Sequence, residues 1–176
     1  LAYHKEEVLT QITSKITGDR QQLRFHVNPD DLILNKTPWN TPENNEILIS
    51  DKKMKFNEFV FINNNQSFEI TDELPSISKE HIAVDFKNFK LSEFLNYLNP
   101  DEELATGNLN GDFVLVDPFT NTGIIADLNI SKLSFMQVDM GNLSFDAKSL
   151  GSDSYDFNVD MKGGEIDLDL KGDYIA

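Results

Sequence analysis

The sequence predicts an all-β protein with antiparallel strands, and three observations carry that expectation. Apolar and polar residues alternate with period two along most of the 176-residue chain, which sets every other side chain on one face of a sheet. The residues between the apolar ones are mostly Asp, Asn, Lys and Ser, so each strand has a dry face and a wet face, the pattern of antiparallel sheets. Turn formers, among them Gly18-Asp19, Asn63-Asn64-Asn65, Gly141-Asn142 and Gly163-Gly164, interrupt the alternation.

The first third is the least regular. Val8, Thr10, Ile12, Ser14 and Ile16 alternate; Val8, Leu9, Ile12 and Ile16 also fit a helix face, and the Thr and Ser content favours a strand. Gly18-Asp19 turns the chain into a strand over 23–27, which Asn28-Pro29-Asp30-Asp31 ends. Short strands are expected over 47–49, 58–62 and 67–70, and Ile82, Val84 and Phe86 alternate again. One short helix is expected over 92–98. Ser92 can N-cap it through its side-chain oxygen, and Glu93 sits near the positive end of the helix dipole. Phe94, Leu95 and Leu98 make its apolar stripe, and Asn99-Pro100 stops it. Beyond the helix, Leu109, Gly111, Phe113 and Leu115 share one side of a strand, as do Ile124, Ala126, Leu128 and Ile130. Tyr155, Phe157, Val159 and Met161 repeat the pattern, then Ile166, Leu168 and Leu170.

Two hairpins are expected at glycines. A two-residue turn at Gly163-Gly164 pairs Met161 with Ile166, Val159 with Leu168 and Phe157 with Leu170, apolar against apolar on one face. On the other face it sets Lys162 against Glu165 and Asp156 against Lys171, with Asp160 facing Asp167 as the one discord. A turn at Gly141-Asn142 pairs Met140 with Leu143 and Val138 with Phe145. The apolar positions change parity between Phe135 and Val138, which a bulge or bend would produce.

Composition narrows the function classes. At 39% hydrophobic the chain can bury a core, and the length and unbroken composition suit one continuous sheet-based domain. Fifteen Lys and Arg against 30 Asp and Glu give a formal charge of −15, which argues against nucleic acid or an anionic membrane surface as partner. It does not oppose the burial of lipid tails. The absence of Cys removes disulfides, thiol catalysis and Cys-ligated zinc. No basic segment precedes an apolar run as in a signal peptide, and runs such as Phe59-Val60-Phe61-Ile62 are far too short to span a membrane. Asp173-Tyr174-Ile175-Ala176 reads as a strand cut in mid-course, so the chain is expected to be a piece of a longer one, with any anchor or signal outside it.

Residues with catalytic potential are sparse. His4, His26 and His81 have no Asp, Glu or second His at metal-ligand spacing on a matching strand face, so solvated or structural roles are expected. The nucleophile elbow, the zinc-protease helix motif, the P-loop and the dinucleotide-binding glycines are all missing, and no catalytic residue, cofactor or enzymatic activity is expected. Asp167-x-Asp169 falls on a wet strand face and lacks the calcium-loop pattern. The four Asn-x-Ser/Thr sequons carry no weight in an Asn-rich chain. Trp39 is expected to plug the core or an edge.

The order of segments resembles the TamB/AsmA-like envelope family, of the Bacteroidetes type. Asn88-Phe89-Lys90-Leu91-Ser92-Glu93-Phe94-Leu95-Asn96-Tyr97-Leu98 is similar to that family's step from a strand into one helical turn. The strand opening Gly107-x-Leu109-x-Gly111 follows, then the Asp117-Pro118-Phe119 segment. After these come Leu133-Ser134-Phe135 and Gly141-Asn142-Leu143-Ser144-Phe145, and upstream Leu32-x-Leu34-Asn35-x-Thr37-Pro38-Trp39 also fits. The resemblance is best from about Asp31 onward.

The resemblance implies a long periplasmic protein anchored at the inner membrane and reaching toward an Omp85-type outer-membrane partner. Its strands would form a curved antiparallel sheet folded into an open trough, a β-taco, with the 176 residues as a single fragment of that repetitive domain. Two functions are implied: passage of phospholipid acyl chains along the trough, and assembly of nascent outer-membrane strands. Phe113, Leu115, Leu128, Ile130, Phe145, Phe157, Val159, Leu168 and Leu170 are the expected lining. Aliphatic and Phe side chains solvate acyl chains at about 0.8 kcal/mol per buried CH₂. The competing expectation is a structural or adhesive module of a secreted protein, in which the same apolar faces close on each other as a filled sandwich core.

Overall fold

The computed structural model describes residues 2–4, 7–51, 53–97, 101–149 and 154–175. The chain is nearly all β, 66% strand and 2% helix, and its sheets are antiparallel. It opens with β1 (Ala2–His4) paired to β2 (Glu7–Thr10), then β3 (Ser14–Gly18), β4 (Gln22–Val27) and the small hairpin β5 (Ile33–Leu34) and β6 (Thr37–Pro38). With β7 (Glu46–Ser50) and β8 (Lys53–Asn57) the second pair of these strands completes a four-stranded sheet in the order β3-β4-β7-β8. The rest is one meander: β9 (Val60–Asn63), β10 (Gln66–Thr71), β11 (His81–Lys90), β12 (Ala105–Val116), β13 (Gly123–Phe135), β14 (Val138–Ser149), β15 (Ser154–Gly163) and β16 (Leu168–Ile175). These eight strands lie in sequence order in one sheet that does not close on itself.

The two larger sheets meet through aromatic rings. Phe25, Phe56, Phe59, Phe61, Phe68, Trp39, Phe89, Phe86 and Phe94 form one connected set with centroids 4.7–6.5 Å apart. Around Trp39, Phe59, Phe61 and Phe89 gather Val27, Leu32 and Leu109, all buried. Trp39 is therefore a core residue. Asn45 ties β4 to this core: its Oδ1 accepts the Val27 N–H at 2.9 Å and its Nδ2 donates to the Val27 and Pro42 carbonyls.

Bulges set the phase of the long strands. Phe86 faces Gly111 and Phe89 faces Leu109, so two residues of β11 oppose one of β12. Asn88 takes φ 47 at this point and its N–H donates to Asn110 Oδ1. The extra residue brings Phe89 to the same face as Phe86 despite the odd spacing. Gly107 and Gly111, both with positive φ, sit at the matching irregularities of β12. A Cβ on Gly111 would collide with the Asp127 carbonyl oxygen of β13. The spaced glycines are thus required by close backbone approach.

Both expected hairpins need correction. Gly141-Asn142 is no turn; it lies inside β14, and Gly141 is a positive-φ bulge position paired with Leu133. The turn is Met136-Gln137, at φ 48 and 68, joining Phe135 to Val138 as a two-residue primed turn. The change of apolar parity between Phe135 and Val138 is the turn's own, since a two-residue connection pairs an odd position with an even one; separate register breaks lie upstream, between Ile130 and Ser134, where Lys132 is left-handed. The β15–β16 register is shifted by two residues from the expected one: Met161 pairs with Leu168, Val159 with Leu170, and Phe157 with Gly172. Gly164 does not turn the chain, because it lies against the Met140–Gly141 backbone and the Glu165 N–H donates to Asp139 O at 2.7 Å. The reversal falls over 164–167, leaving Ile166 outside the strands. A two-residue shift preserves parity, so Phe157, Val159, Met161, Leu168 and Leu170 still share one face.

The helix is α1 (Ser92–Leu95). Its N-cap is Leu91 and no side chain caps it, so Ser92 belongs to the first turn. Leu98, at the end of the expected stripe, lies outside the described residues. The buried helix residue is Glu93, while Phe94 is half exposed. Polar docking explains the inversion. Glu93 Oε1 accepts from Gln66 Nε2 at 3.1 Å, and beyond the helix the Tyr97 hydroxyl accepts the Asn35 N–H at 2.9 Å.

Candidate functional site

The meander register places side chains in lateral rows across the sheet. One row runs Phe68, Phe86, Gly111, Leu128, Phe145, Val159, Leu170. Beside it runs Phe89, Leu109, Ile130, Leu143, Met161, Leu168, and on the other side Val84, Phe113, Ala126, Ala147, Phe157, Gly172. Leu115 extends the same face between Ile82 and Ile124. Phe113, Leu115, Leu128, Ile130, Phe145, Phe157, Val159, Leu168 and Leu170 therefore all lie on one face. Adjacent strands stand about 4.8 Å apart, so each row is a continuous apolar stripe.

The face is not uniform from end to end. Leu109 is buried at 8% exposure, and Leu128 and Ile130 pack on the aromatic core. At the far side Leu168 and Leu170 are 42% and 48% exposed, beside exposed Tyr174. The β9–β12 half is filled by the four-stranded sheet and the residues around the β5–β6 hairpin; over β14 and β15 the face is partly covered, with Met161 buried, and it opens at β16. The expected lining thus spans two environments. Leu143, Met161, Val84 and Ile124 belong to the same face and were legible from the same alternation.

The opposite face has the reverse character. Glu69, Asp85, Asp112, Asp127 and Asp146 stand side by side on five neighbouring strands, continued by Asn158 and Lys171. Lys87 Nζ lies 2.8 Å from Asp85 Oδ2. Burial, then the charges of Asp85 and Asp127, hold the Asp112 carboxyl above its ordinary 3.8. Among the described residues no three His, Asp or Glu side chains converge as a metal-holding group.

The raised value has a sign that can be measured. Ionised Asp112 destabilises the fold; the penalty is complete above the raised folded value, fades as pH falls through it, and is gone below the ordinary 3.8. Asp112→Asn is expected to stabilise the protein at pH 7 by a few tenths to about 1 kcal/mol, given partial solvent screening. Urea titrations at pH 7 and pH 3.5 check this: the gain belongs to pH 7 alone, and an equal gain at both would remove charge as its cause.

The histidines divide. His26 Nδ1 lies 2.7 Å from the Asn45 carbonyl oxygen in the four-stranded sheet, and His81 is buried where β11 begins. They are on separate sheets and form no common site. Comparison with family models, with curated proteins and with solved structures finds no match for this chain.

Proposed function

We propose that the chain is a segment of a non-enzymatic envelope conduit of the TamB/AsmA-like kind, and that phospholipid acyl chains lie along the open half of its apolar face. The observation that carries this reading is the contrast along one face: rows that begin in a filled aromatic core continue unbroken into exposed Leu168 and Leu170. Exposed contiguous apolar surface of this kind marks an interaction site. A sliding cargo needs smooth apolar contact, and these rows interpose no charge. The same reading sets the protein in the periplasm, anchored at the inner membrane outside this segment, with an Omp85-type protein at its outer-membrane end. Assembly of nascent outer-membrane strands fits beside it, since among the described residues β16 pairs on one side only and main-chain hydrogen bonding to an edge is a general mode of strand capture.

The filled half favours a second reading, a structural or adhesive module whose exposed leucines are incidental. Photo-crosslinking separates the two. A photoreactive residue at Val159 or Leu170, in the full-length protein in cells, is expected to give lipid adducts, and the same residue at Asp160 or Asp169 is expected to give none. Absent or equal adducts at both pairs, in a protein that still functions, would leave the structural module standing.

A further inference from the structure

The turn between β13 and β14 breaks a rule of local chemistry. A two-residue primed turn favours Asn-Gly, because both of its positions take positive φ. Here they are Met136 and Gln137, at φ 48 and 68. Residues held against their backbone preference mark places where an interaction outweighs local stability. The exception presents apolar surface: Met136 is 66% exposed, and the flanking Phe135 and Val138 are exposed with it. The Glu165 N–H bond to Asp139 O sets the β15–β16 reversal, with exposed Ile166, beside this turn.

Carboxylates form a collar around the tip. Asp139 follows it in β14, and Glu165 belongs to the adjacent reversal. The Met136 N–H donates to Leu104 O at 2.9 Å, which brings Glu102 and Glu103 next to the turn. All four are exposed, and none makes an ion pair among the described residues. Of the nearby cations, Lys162 is bound to Asp160, and Lys132 lies on the bulge upstream. An apolar tip in an acidic collar suits an apolar surface edged with cations, and it is repelled by an anionic bilayer.

This chain carries such a surface. β3 is an edge of the four-stranded sheet, and every residue from Ile12 to Gln21 is exposed. The row Ile16, Phe25, Ile47, Phe56 runs across that sheet; its last three members pack on the aromatic core, but Ile16 is 66% exposed. Leu23, opposite Gly18, is exposed as well. The β3–β4 hairpin thus overhangs the core with its apolar side uncovered. It holds both arginines of the chain, Arg20 in its turn and Arg24 in β4, together with Lys15 in β3. Arg24 is paired with Glu46 at 3.1 Å, whereas Lys15 and Arg20 make no ion pair among the described residues. Asp19, the one carboxylate between Ile12 and Val27, accepts the N–H groups of Gln21 and Gln22.

We propose that the β13–β14 tip of one copy docks on the β3–β4 hairpin of a second copy. Phe135, Met136 and Val138 would be buried against Ile16 and Leu23, with Glu102 and Glu165 toward Lys15 and Arg20. The formal charge of −15 does not forbid this, because a screening length of about 8 Å at physiological salt leaves the charges beside the contact to decide. The contact uses neither Leu168 nor Leu170, so it is independent of what the apolar face binds.

Sedimentation velocity of the 176-residue chain at about 0.15 M salt tests it. The wild-type chain is expected to associate reversibly as its concentration rises. Lys15→Glu with Arg20→Glu should stay monomeric, and so should Glu102→Lys with Glu165→Lys, since each leaves both surfaces with the same sign. An equimolar mixture of the two variants should associate again. Met136→Asn with Gln137→Gly should raise the thermal midpoint, because preferred turn residues replace strained ones, and weaken association about tenfold. A wild-type chain that stays monomeric to millimolar concentration would overturn the proposal. So would association that persists in either charge variant, which would move the contact elsewhere, or a mixture that fails to associate. Flotation of the monomer with phosphatidylcholine vesicles, lost on the Asn-Gly replacement, would assign the tip to a bilayer instead. Should a charge variant fail to fold, an Asn-Gly variant that associates as tightly as wild type still overturns it.

Discussion

Gly111→Ala is expected to destabilise the protein by about 3–5 kcal/mol, the sum of a left-handed backbone forced on an alanine and a methyl group driven into the next strand. Gly111 holds φ 113, and its missing side chain is where the Asp127 carbonyl oxygen passes. Neither strand can yield easily, because β12 and β13 are paired on both sides. Gly163→Ala is the useful contrast. Its φ is 84, yet the nearest atom to a new Cβ is Asn142 Nδ2 at 4.0 Å, so only the conformational cost of about 1–2 kcal/mol applies. Urea midpoints of the two variants should differ by well over the error of extrapolation. Similar losses at both sites would mean that conformation alone, and not the approach of β13, demands glycine at 111.

Phe89→Ala is expected to cost about 3–5 kcal/mol, the range for removing a buried ring that the surroundings cannot refill. Phe89 is 1% exposed and touches Trp39, Phe68, Phe86 and Phe94, which belong to four different elements or connections. Its loss would loosen the joint between the two sheets at its centre. Leu170→Ala, on the same face but 48% exposed, should change stability by less than about 0.5 kcal/mol. If the two substitutions proved equal in urea, the division of the face into a filled and an open half would be wrong.

Much of this was readable from residues alone, and the failures have a common cause. Period-two alternation assigned faces correctly on β12, β13, β15 and β16, because a face depends only on parity and parity is local. The turns at Gly18-Asp19 and Asn63-Asn64-Asn65 fall where expected, whereas the two hairpins at Gly141 and Gly163-Gly164 were misplaced, because register depends on what lies across the sheet. Gly141 and Gly164 look like turn residues, but each is used where two backbones nearly touch, while the true turn at Met136-Gln137 contains no glycine. The bulge at Asn88, which rescues Phe89 for the core, is equally invisible until β12 is beside it. Glu93 inverted the helix for the same reason: its partner Gln66 is on a distant strand. The nine residues expected to line a trough do share one face, but which of them are covered depends on the small sheet, whose strands carry the weakest alternation in the chain.

The two edges of the large sheet differ in one further respect. At β9, Asn40 exchanges both backbone hydrogen bonds with Ile62 at 2.8 Å, so that border is sealed by the protein itself. At β16 the described residues leave the border unsealed. The two borders therefore differ in what they leave free for main-chain pairing. A strand laid against β16 would meet Leu168 and Leu170 on one face and Asp169, Lys171 and Asp173 on the other.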